Sequence, residues 1–175
     1  MNEELTARLN HDYPTFFDLD GDPRHTLMVF GFACGDGWYD AIDDLCRSIQ
    51  THLEINEPKY LVPDTEHTFK VVQVKEKFGT LRFYTSHGDE FIHACELLYG
   101  CCTEVICETC GEPGLIRKGG WYQCLCDEHA EGREGADPND RGVWSHQDEM
   151  VETYVTTMEA MIDDAHGTGD GESTD

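Results

Sequence analysis

A spaced set of cysteines and a histidine constrains the fold of this chain more than any other feature. The segment CETCG is followed, further along, by CLCDEH, and each contains a pair of metal-binding residue types with two residues between them. Cys107 and Cys110 flank a tight turn that would aim two thiolates at one point, and Cys126 and His129 would add a thiolate and an imidazole. Three thiolates and one imidazole suit tetrahedral zinc. The sequence therefore predicts a structural Zn²⁺ ion bound by these four residues.

The segments around these residues predict how the ligands are brought together. Gly111 allows a positive φ after the first pair, and Gly119-Gly120 divides LIRKGGWYQCLC into two strands of a hairpin. The segment DEHAEG then begins at residue 127 as a short helix, which places Cys126 and His129 on one face. A zinc knuckle followed by a hairpin and then by the start of a helix is typical of a treble-clef-like zinc module.

Three other cysteines leave the ligand set open at this stage. Cys124 lies two residues before Cys126, on the same face of the strand, so it is an alternative to Cys126 or His129. Cys101 and Cys102 are also near in sequence. Cys102 falls on the predicted apolar stripe of a helix, and since free cysteine is a commonly buried residue type, we expect it to be a packing residue.

The predicted metal site favours a structural role over a catalytic one. Four good protein ligands close the site, whereas catalytic zinc usually keeps one position for water. Glu128 is placed as a general base would be, but an exposed acid in the first turn of a helix is the simpler interpretation. A treble-clef nuclease would need further residues, and Asn139 and His146 are the candidates. No deaminase signature or phosphate-binding glycine loop is present, so we predict no catalytic residue and no organic cofactor.

The rest of the chain predicts an α+β fold: a small antiparallel sheet with two or three helices and the zinc module docked on it. TLMVFGF at 26–32 is predicted to be a buried strand, and 69–86 a hairpin or a bulged pair of strands around Gly79. Val72 and Val74 are predicted to share one face of the first strand, and Leu81 and Phe83 one face of the second. The helices are predicted from stripes at helical spacing, which consist of Trp38, Ile42, Leu45, Ile49 and Leu53, then Ile92, Cys95, Tyr99, Cys102 and Ile106, and finally Val151, Tyr154, Met158 and Ile162.

Helix starts and domain limits follow from polar residues. Asp36 is predicted to cap the first helix, Ser86 with Asp89 to form a capping box for the second, and Ser145 with Asp148 to begin the last. The predicted organisation is an α+β domain at 1–106, the zinc module at 107–133, a linker and C-terminal helix at 134–166, and a disordered acidic tail at 167–175.

The charge balance limits the possible partners. With 36 acidic and 12 basic residues, the formal net charge is −24. A general surface of this kind repels nucleic acid and anionic membranes, so we expect neither as a direct partner. The acidic surface has three explanations: plain solvation, adaptation to a salt-rich cell, or imitation of nucleic acid toward a basic protein partner.

The segment MNEELTARLN lacks the basic start and apolar run of a signal peptide, and no stretch has the ~20 apolar residues of a membrane span. We therefore expect the protein in the cytoplasm, where closely spaced cysteines more often bind metal than form disulfides.

Three blocks of the sequence resemble a family of small, mostly uncharacterised proteins of tailed bacterial and archaeal viruses and prophages. The blocks are CGDGWYDAIDDLC at 34–46, VKEKFGTLRFY at 74–84, and CETCGEPG with GGWYQCLCDEHA within 107–130. The resemblance implies a viral accessory protein with a zinc knuckle, present in the host cytoplasm or in the virion, and implies no known reaction. It assigns the ligands to Cys107, Cys110, Cys126 and His129, and makes Cys124 a bystander.

The first two blocks raise two further questions. The first block predicts a strand-to-helix turn, with Trp38 as its anchor, formed by Gly35, Asp36, Gly37 and Trp38. We favour this structural role over a binding role. Lys75, Glu76, Lys77 and Arg82 form a basic patch, expected to be a solvated sheet face and, alternatively, an anion or partner site.

These features support three functional hypotheses: a non-enzymatic accessory protein that binds another protein, a metal-dependent nuclease, and a structural virion component. The first is favoured.

Overall fold

The computed structural model describes residues 1–63 and 65–137, and residues Met1–Ala136 form one compact unit. The α+β prediction is confirmed: the described residues contain three α-helices and two small antiparallel sheets. The helices are α1 (Glu3–Asp12), α2 (Tyr39–Asn56) and α3 (Glu90–Cys102), and the strands are β1 (Val71–Lys77), β2 (Thr80–Thr85), β3 (Leu115–Arg117) and β4 (Gln123–Leu125). The predicted C-terminal helix and the acidic tail lie outside the described residues.

The apolar stripe of α2 forms the centre of the core, as its spacing predicts. Trp38, Ile42, Leu45, Ile49 and Leu53 are each at most 1% exposed. Burial of five such side chains, each contributing about 1.5–3 kcal/mol, makes this helix the main apolar element of the described fold. The helix packs against α3, which in turn covers β2.

The predicted hairpin around Gly79 is confirmed, with one change of face. β1 and β2 pair antiparallel, and Phe78 and Gly79 at the turn both have positive φ. A bulge between Val71 and Gln73 shifts the alternation of side chains, so Val71 points into the core together with Val74. The prediction that Val72 and Val74 share one face was therefore wrong, since Val74 is buried and Val72 is only half-buried.

The segment 26–32 is not a strand, contrary to its apolar composition. Leu27 N donates to Val72 O at 2.8 Å and Ala33 N donates to Val74 O at 3.0 Å. Five residues lie between the two donors, but a single residue of β1 separates the two acceptors, so the segment must loop away from the sheet. It does so through a 3₁₀ turn and Gly31 at φ 73°, which leaves Phe30 76% exposed.

Two predicted helix caps were wrong. The carboxylate of Asp36 accepts hydrogen bonds from the backbone and side-chain nitrogens of Asn2, at 2.6 and 2.7 Å, and a 3₁₀ turn precedes α2. In α3 the cap is Asp89, whose carboxylate accepts from Ile92 N at 3.0 Å. The Ser86 hydroxyl instead accepts from the backbone N–H of Lys70.

Helix α1 was not predicted, because its sequence has little apolar periodicity. Leu9 alone of its residues is buried, and Tyr13, Phe16 and Phe17 follow it into the core. The Tyr13 hydroxyl donates to the Asp43 carboxylate at 2.8 Å, which joins this N-terminal segment to α2.

No helix among the described residues is long and apolar enough to cross a membrane.

Candidate metal centre

The first half of the site is a tight turn that carries Cys107 and Cys110. Gly111 N donates to Cys107 O at 2.9 Å, and Gly111 has φ 82°, the left-handed conformation that the sequence predicts. Cys107 N donates to Glu112 O at 2.8 Å, so the chain is held on both sides of the turn. These backbone hydrogen bonds fix the two thiols on the same side of the turn.

The second half follows the predicted hairpin. β3 and β4 pair antiparallel, with Leu115 opposite Leu125, so Cys126 lies directly after the last paired residue. His129 N donates to Cys126 O at 3.2 Å, which brings both side chains to one side. This is a single turn and not the predicted start of a helix. A turn suffices here because the hydrogen bond spans three residues, as one turn of helix would.

The four predicted ligands are brought together. Sγ of Cys107, Cys110 and Cys126 and a ring nitrogen of His129 all lie within 4.8 Å of one another. Cys110 Sγ is 3.8 Å from Cys126 Sγ, and Cys107 Sγ is 3.7 Å from His129 Nδ1. Ligands bonded at ~2.0–2.3 Å in a tetrahedron are separated by about 3.3–3.8 Å. These two separations fall at that distance, and the group as a whole could hold a metal ion.

The surroundings of Cys107 favour its thiolate. Burial raises the pKa of this thiol, but the backbone N–H groups of Cys126, Cys110 and Thr109 outweigh burial and lower its pKa to about 6. Metal ligation requires the thiolate form of cysteine. The turn thus prepares one ligand for an ion before the ion arrives.

The turn formed by Gly35, Asp36, Gly37 and Trp38 packs directly on this knuckle. Gly37 N donates to Glu108 O at 2.8 Å. A β-carbon built on Gly35 would lie 2.2 Å from Glu108 O, closer than real β-carbons approach another atom. The two glycines are therefore required because the backbone of the knuckle occupies the space beside them. This contact supports the structural interpretation of the block.

Two polar side chains join the turn to the knuckle. Trp38 is fully buried, and its Nε1 donates to Ile106 O at 2.9 Å. Glu108 is 8% exposed, and its carboxylate accepts from Gly35 N at 3.0 Å and from the Gln123 side chain at 3.4 Å. Burial raises the pKa of Glu108. The sequence gives no sign of this role for Glu108, since it looks like any other acid between two ligands.

Arg117 is a second supporting residue that sequence reasoning missed. It is 8% exposed, with Nε donating to Leu125 O at 3.1 Å and a terminal nitrogen donating to Asp127 at 2.6 Å. These bonds hold the chain on both sides of Cys126. An arginine at the end of a strand, one residue before a Gly-Gly turn, gives no signal of such a role.

The competing cysteines lie outside the cluster. Cys124 is fully buried and its thiol donates to Glu104 O at 3.1 Å, while burial raises its pKa to about 12. A buried, protonated thiol is a poor ligand, so Cys124 fits the bystander interpretation. Cys102 is exposed at the end of α3, so the prediction that it packs in the core was wrong. Cys101 is half-buried.

Of the residues considered for catalysis, Glu128 alone lies within the part of the chain that the structure describes. Glu128 is exposed in the turn between Cys126 and His129. Asn139 and His146, which the nuclease hypothesis requires, lie outside the described residues.

The charged residues of the second block lie on the β1–β2 hairpin, with the basic residues on one face and Glu76 on the other. Lys75 is directly opposite Arg82, whereas Glu76 is opposite the buried Leu81. The Glu76 carboxylate accepts hydrogen bonds from Gly79 N and from Trp121 Nε1 on the metal-site hairpin, at 2.6 and 2.5 Å. Glu76 therefore joins the tips of the two hairpins, and the cations point elsewhere.

Comparison with known proteins gave no match: no family model matches the chain, and neither the curated proteins nor the solved structures include one with significant similarity to it.

Proposed function

We propose that this chain is a non-enzymatic, zinc-binding accessory protein of a tailed virus or prophage, which acts in the cytoplasm of the host cell by binding another protein. The observation that carries the proposal is the cluster of Cys107, Cys110, Cys126 and His129 within 4.8 Å. Three thiolates and one imidazole favour Zn²⁺ among the common divalent ions, because hard oxygen ligands, which Mg²⁺ and Ca²⁺ prefer, are missing from the set.

The proposed role of zinc is to hold the module in shape. β3 and β4 have three residues each, and the apolar side chains buried in them are few. A hairpin of this length is marginal on its own, and metal binding contributes folding free energy directly. Four protein ligands also fill the tetrahedral shell, which supports a structural ion over a catalytic one.

The proposed partner is a basic protein that handles nucleic acid, recognised by the acidic surface. Support comes from the net charge of −24, since complementary charge steers association and suppresses wrong partners. Resemblance of the three sequence blocks to viral and prophage proteins supports the cellular setting.

The metal is tested first, by elemental analysis of the full chain purified without added metal and by cobalt exchange. One zinc per chain, and a cobalt form with the absorption of a tetrahedral thiolate site, are expected. A Cys102→Ser variant is the control and should keep its zinc. Substoichiometric zinc in the wild type, or an octahedral cobalt spectrum, would contradict the proposal.

The partner is then tested with the zinc-loaded protein as bait in cells that carry the virus or prophage. A stoichiometric partner that dissociates at high salt is expected. Acidic mimicry further requires that the purified partner releases bound DNA or RNA when this protein is added. A partner that binds nucleic acid and this protein at the same time would exclude mimicry, and hydrolysis of nucleic acid by the purified zinc form would favour the nuclease hypothesis.

A further inference from the structure

The outer face of the β1–β2 hairpin concentrates positive charge in a strongly acidic chain. Lys75 lies opposite Arg82, and Lys77 lies opposite Thr80. Side chains alternate along a strand, so these residues share the face opposite to the buried Val74 and Phe83. We call Lys75, Lys77 and Arg82 the cationic face.

These three cations have no carboxylate partner among the described residues, although acids outnumber bases threefold in the chain. Four other cations among the described residues are paired with acids, which are Arg24, Arg47, Lys59 and Arg117. No ion pair joins the cationic face to an acid within residues 1–63 and 65–137. Glu76, which lies between the two lysines in sequence, faces the other way and bonds to Trp121. One terminal nitrogen of Arg82 donates to Thr80 Oγ1 at 2.6 Å and to Leu81 O at 3.2 Å, which holds the guanidinium against the strand. Since both acceptors are neutral, the charge of the face is not compensated by an acid and can attract an external anion.

An exposed ring and an open groove adjoin the cationic face. Tyr84 is 42% exposed, and Lys75 Nζ lies 5.4 Å from the centre of its ring. A groove of about 580 Å³ lies beside this pair, between β1 and the segment that carries Thr26 and Leu27. Grooves of this size accept small organic ligands, and Gln73 lines this one as well.

We propose that this face binds a short segment of single-stranded nucleic acid, with phosphates at Lys75, Lys77 and Arg82 and a base stacked on Tyr84. Phosphate contacts beside an exposed ring are how proteins bind single strands without strong sequence preference. From Gln73, opposite Tyr84, to Lys77 the strand extends about 13 Å, enough to follow more than one phosphate. An acidic peptide would use the cations but has no need of the ring and the groove.

The net charge of −24 does not prevent such a contact, because the effect of each charge weakens with distance. At physiological ionic strength, charges more than about 8 Å away are largely screened. The sequence-based expectation of no nucleic-acid binding concerned the general surface, and charge on the described surface is unevenly distributed. The inference goes beyond the proposed function, since the partner there is a basic protein bound by acidic residues.

The test measures binding of a fluorescent oligothymidine to the full, zinc-loaded chain by anisotropy over a range of salt concentrations. Three phosphate contacts predict that log K falls with log salt with a slope of about −2. The double variant Lys75→Gln, Arg82→Gln should bind the oligonucleotide at least about tenfold more weakly. The slope of log K against log salt should fall below about 1 in magnitude. Tyr84→Leu should weaken binding about tenfold and leave the slope unchanged.

The matched control is the double variant Arg47→Gln, Lys59→Gln. It removes two positive charges that lie outside the cationic face, and it should leave binding unchanged. Thermal unfolding of each variant shows that it is folded. The proposal is overturned if the wild type does not bind at low salt, or if control and face variants weaken binding equally. It is also overturned if polyglutamate of equal charge displaces the oligonucleotide as well as unlabelled oligothymidine does, because an acidic protein segment would then be the better ligand.

Discussion

Gly37 lies so close to Cys107 that a β-carbon on Gly37 would be 2.1 Å from the Cys107 carbonyl oxygen. Two segments that are distant in the sequence are therefore in backbone contact, and one of them carries the first metal ligand. The contact explains why a glycine-rich turn precedes the main helix of the core. It also means that the metal centre and the apolar core stabilise each other.

We expect Gly37→Ala to destabilise both the core and the metal centre. The added methyl group meets backbone atoms, which cannot rotate away, so the cost should reach or exceed about 1–3 kcal/mol in the free energy of unfolding. Urea unfolding and competition for zinc with a chelator measure the two effects. Gly120→Ala is the control, because nothing lies within 4 Å of its β-carbon position, and it should change stability by less than about 0.5 kcal/mol. Equal effects of both substitutions would refute the role assigned to the contact.

We expect Cys107→Ser and Cys110→Ser each to lose the bound metal and to unfold the module around residues 107–133. A hydroxyl is a much weaker zinc ligand than a thiolate, and the module has little core to hold it without the ion. Metal analysis and amide hydrogen exchange of the module give the readout. Cys102→Ser should behave as wild type, since Cys102 is exposed and outside the cluster. A Cys107→Ser protein with a full metal content and a protected module would show that the ligand assignment is wrong.

The sequence predicts well where one physical signal dominates. The stripe of α2 is read from helical periodicity, and the ligand spacing and Gly111 are sufficient to predict the knuckle. Both depend on residues close in the chain, so local pattern alone identifies them. The β1–β2 hairpin is predicted for the same reason, because Gly79 lies between two strand-like runs.

The errors arise where a distant partner decides the local structure. The segment at 26–32 is apolar enough for a strand, but only the two ends of this segment donate backbone hydrogen bonds to β1. Asp36 has a side chain suited to capping a helix, but Asn2 donates hydrogen bonds to its carboxylate instead. The bulge in β1 places Val71, and not Val72, on the buried face of the strand. Glu108 and Arg117 escape notice because their roles depend on backbone groups that only folding brings near.

The hydrogen bond from Trp38 to Ile106 should be measurable apart from the packing of the indole ring. Trp38→Phe keeps an aromatic ring but leaves the partly buried carbonyl oxygen of Ile106 without this donor, so we expect a loss of about 1–3 kcal/mol, plus a cavity term. Trp121→Phe is the matched control: Trp121 is 56% exposed and its bond to Glu76 is at the surface, so its loss should be at most about 1 kcal/mol. If Trp38→Phe costs no more than the control, Trp38 does not anchor the turn to the knuckle.

The pair formed by Asp89 and His52 should make the stability of α3 depend on pH. Burial raises the pKa of the Asp89 carboxyl, but the Ile92 backbone N–H and the His52 ring, 2.6 Å away, outweigh burial and hold the pKa below its ordinary value of 3.8. A carboxyl whose pKa is lower in the folded than in the unfolded protein contributes its full stabilisation above the unfolded value. That stabilisation is lost as the pH falls through the folded pKa.

Asp89→Asn keeps an acceptor for Ile92 N but removes the charge beside His52, so it isolates this contribution. We expect the variant to be less stable than wild type by about 0.2–1 kcal/mol at neutral pH, because the side chain of Asp89 is 47% exposed and solvent screens the pair. The difference should shrink toward zero below pH 3.8. Free energies of unfolding compared at each pH provide the measurement, since acid-driven loss of the metal is common to both proteins and cancels. Asp20→Asn shows the effect of removing one surface charge alone, and a difference for Asp89→Asn that stays constant into acid would contradict the lowered pKa.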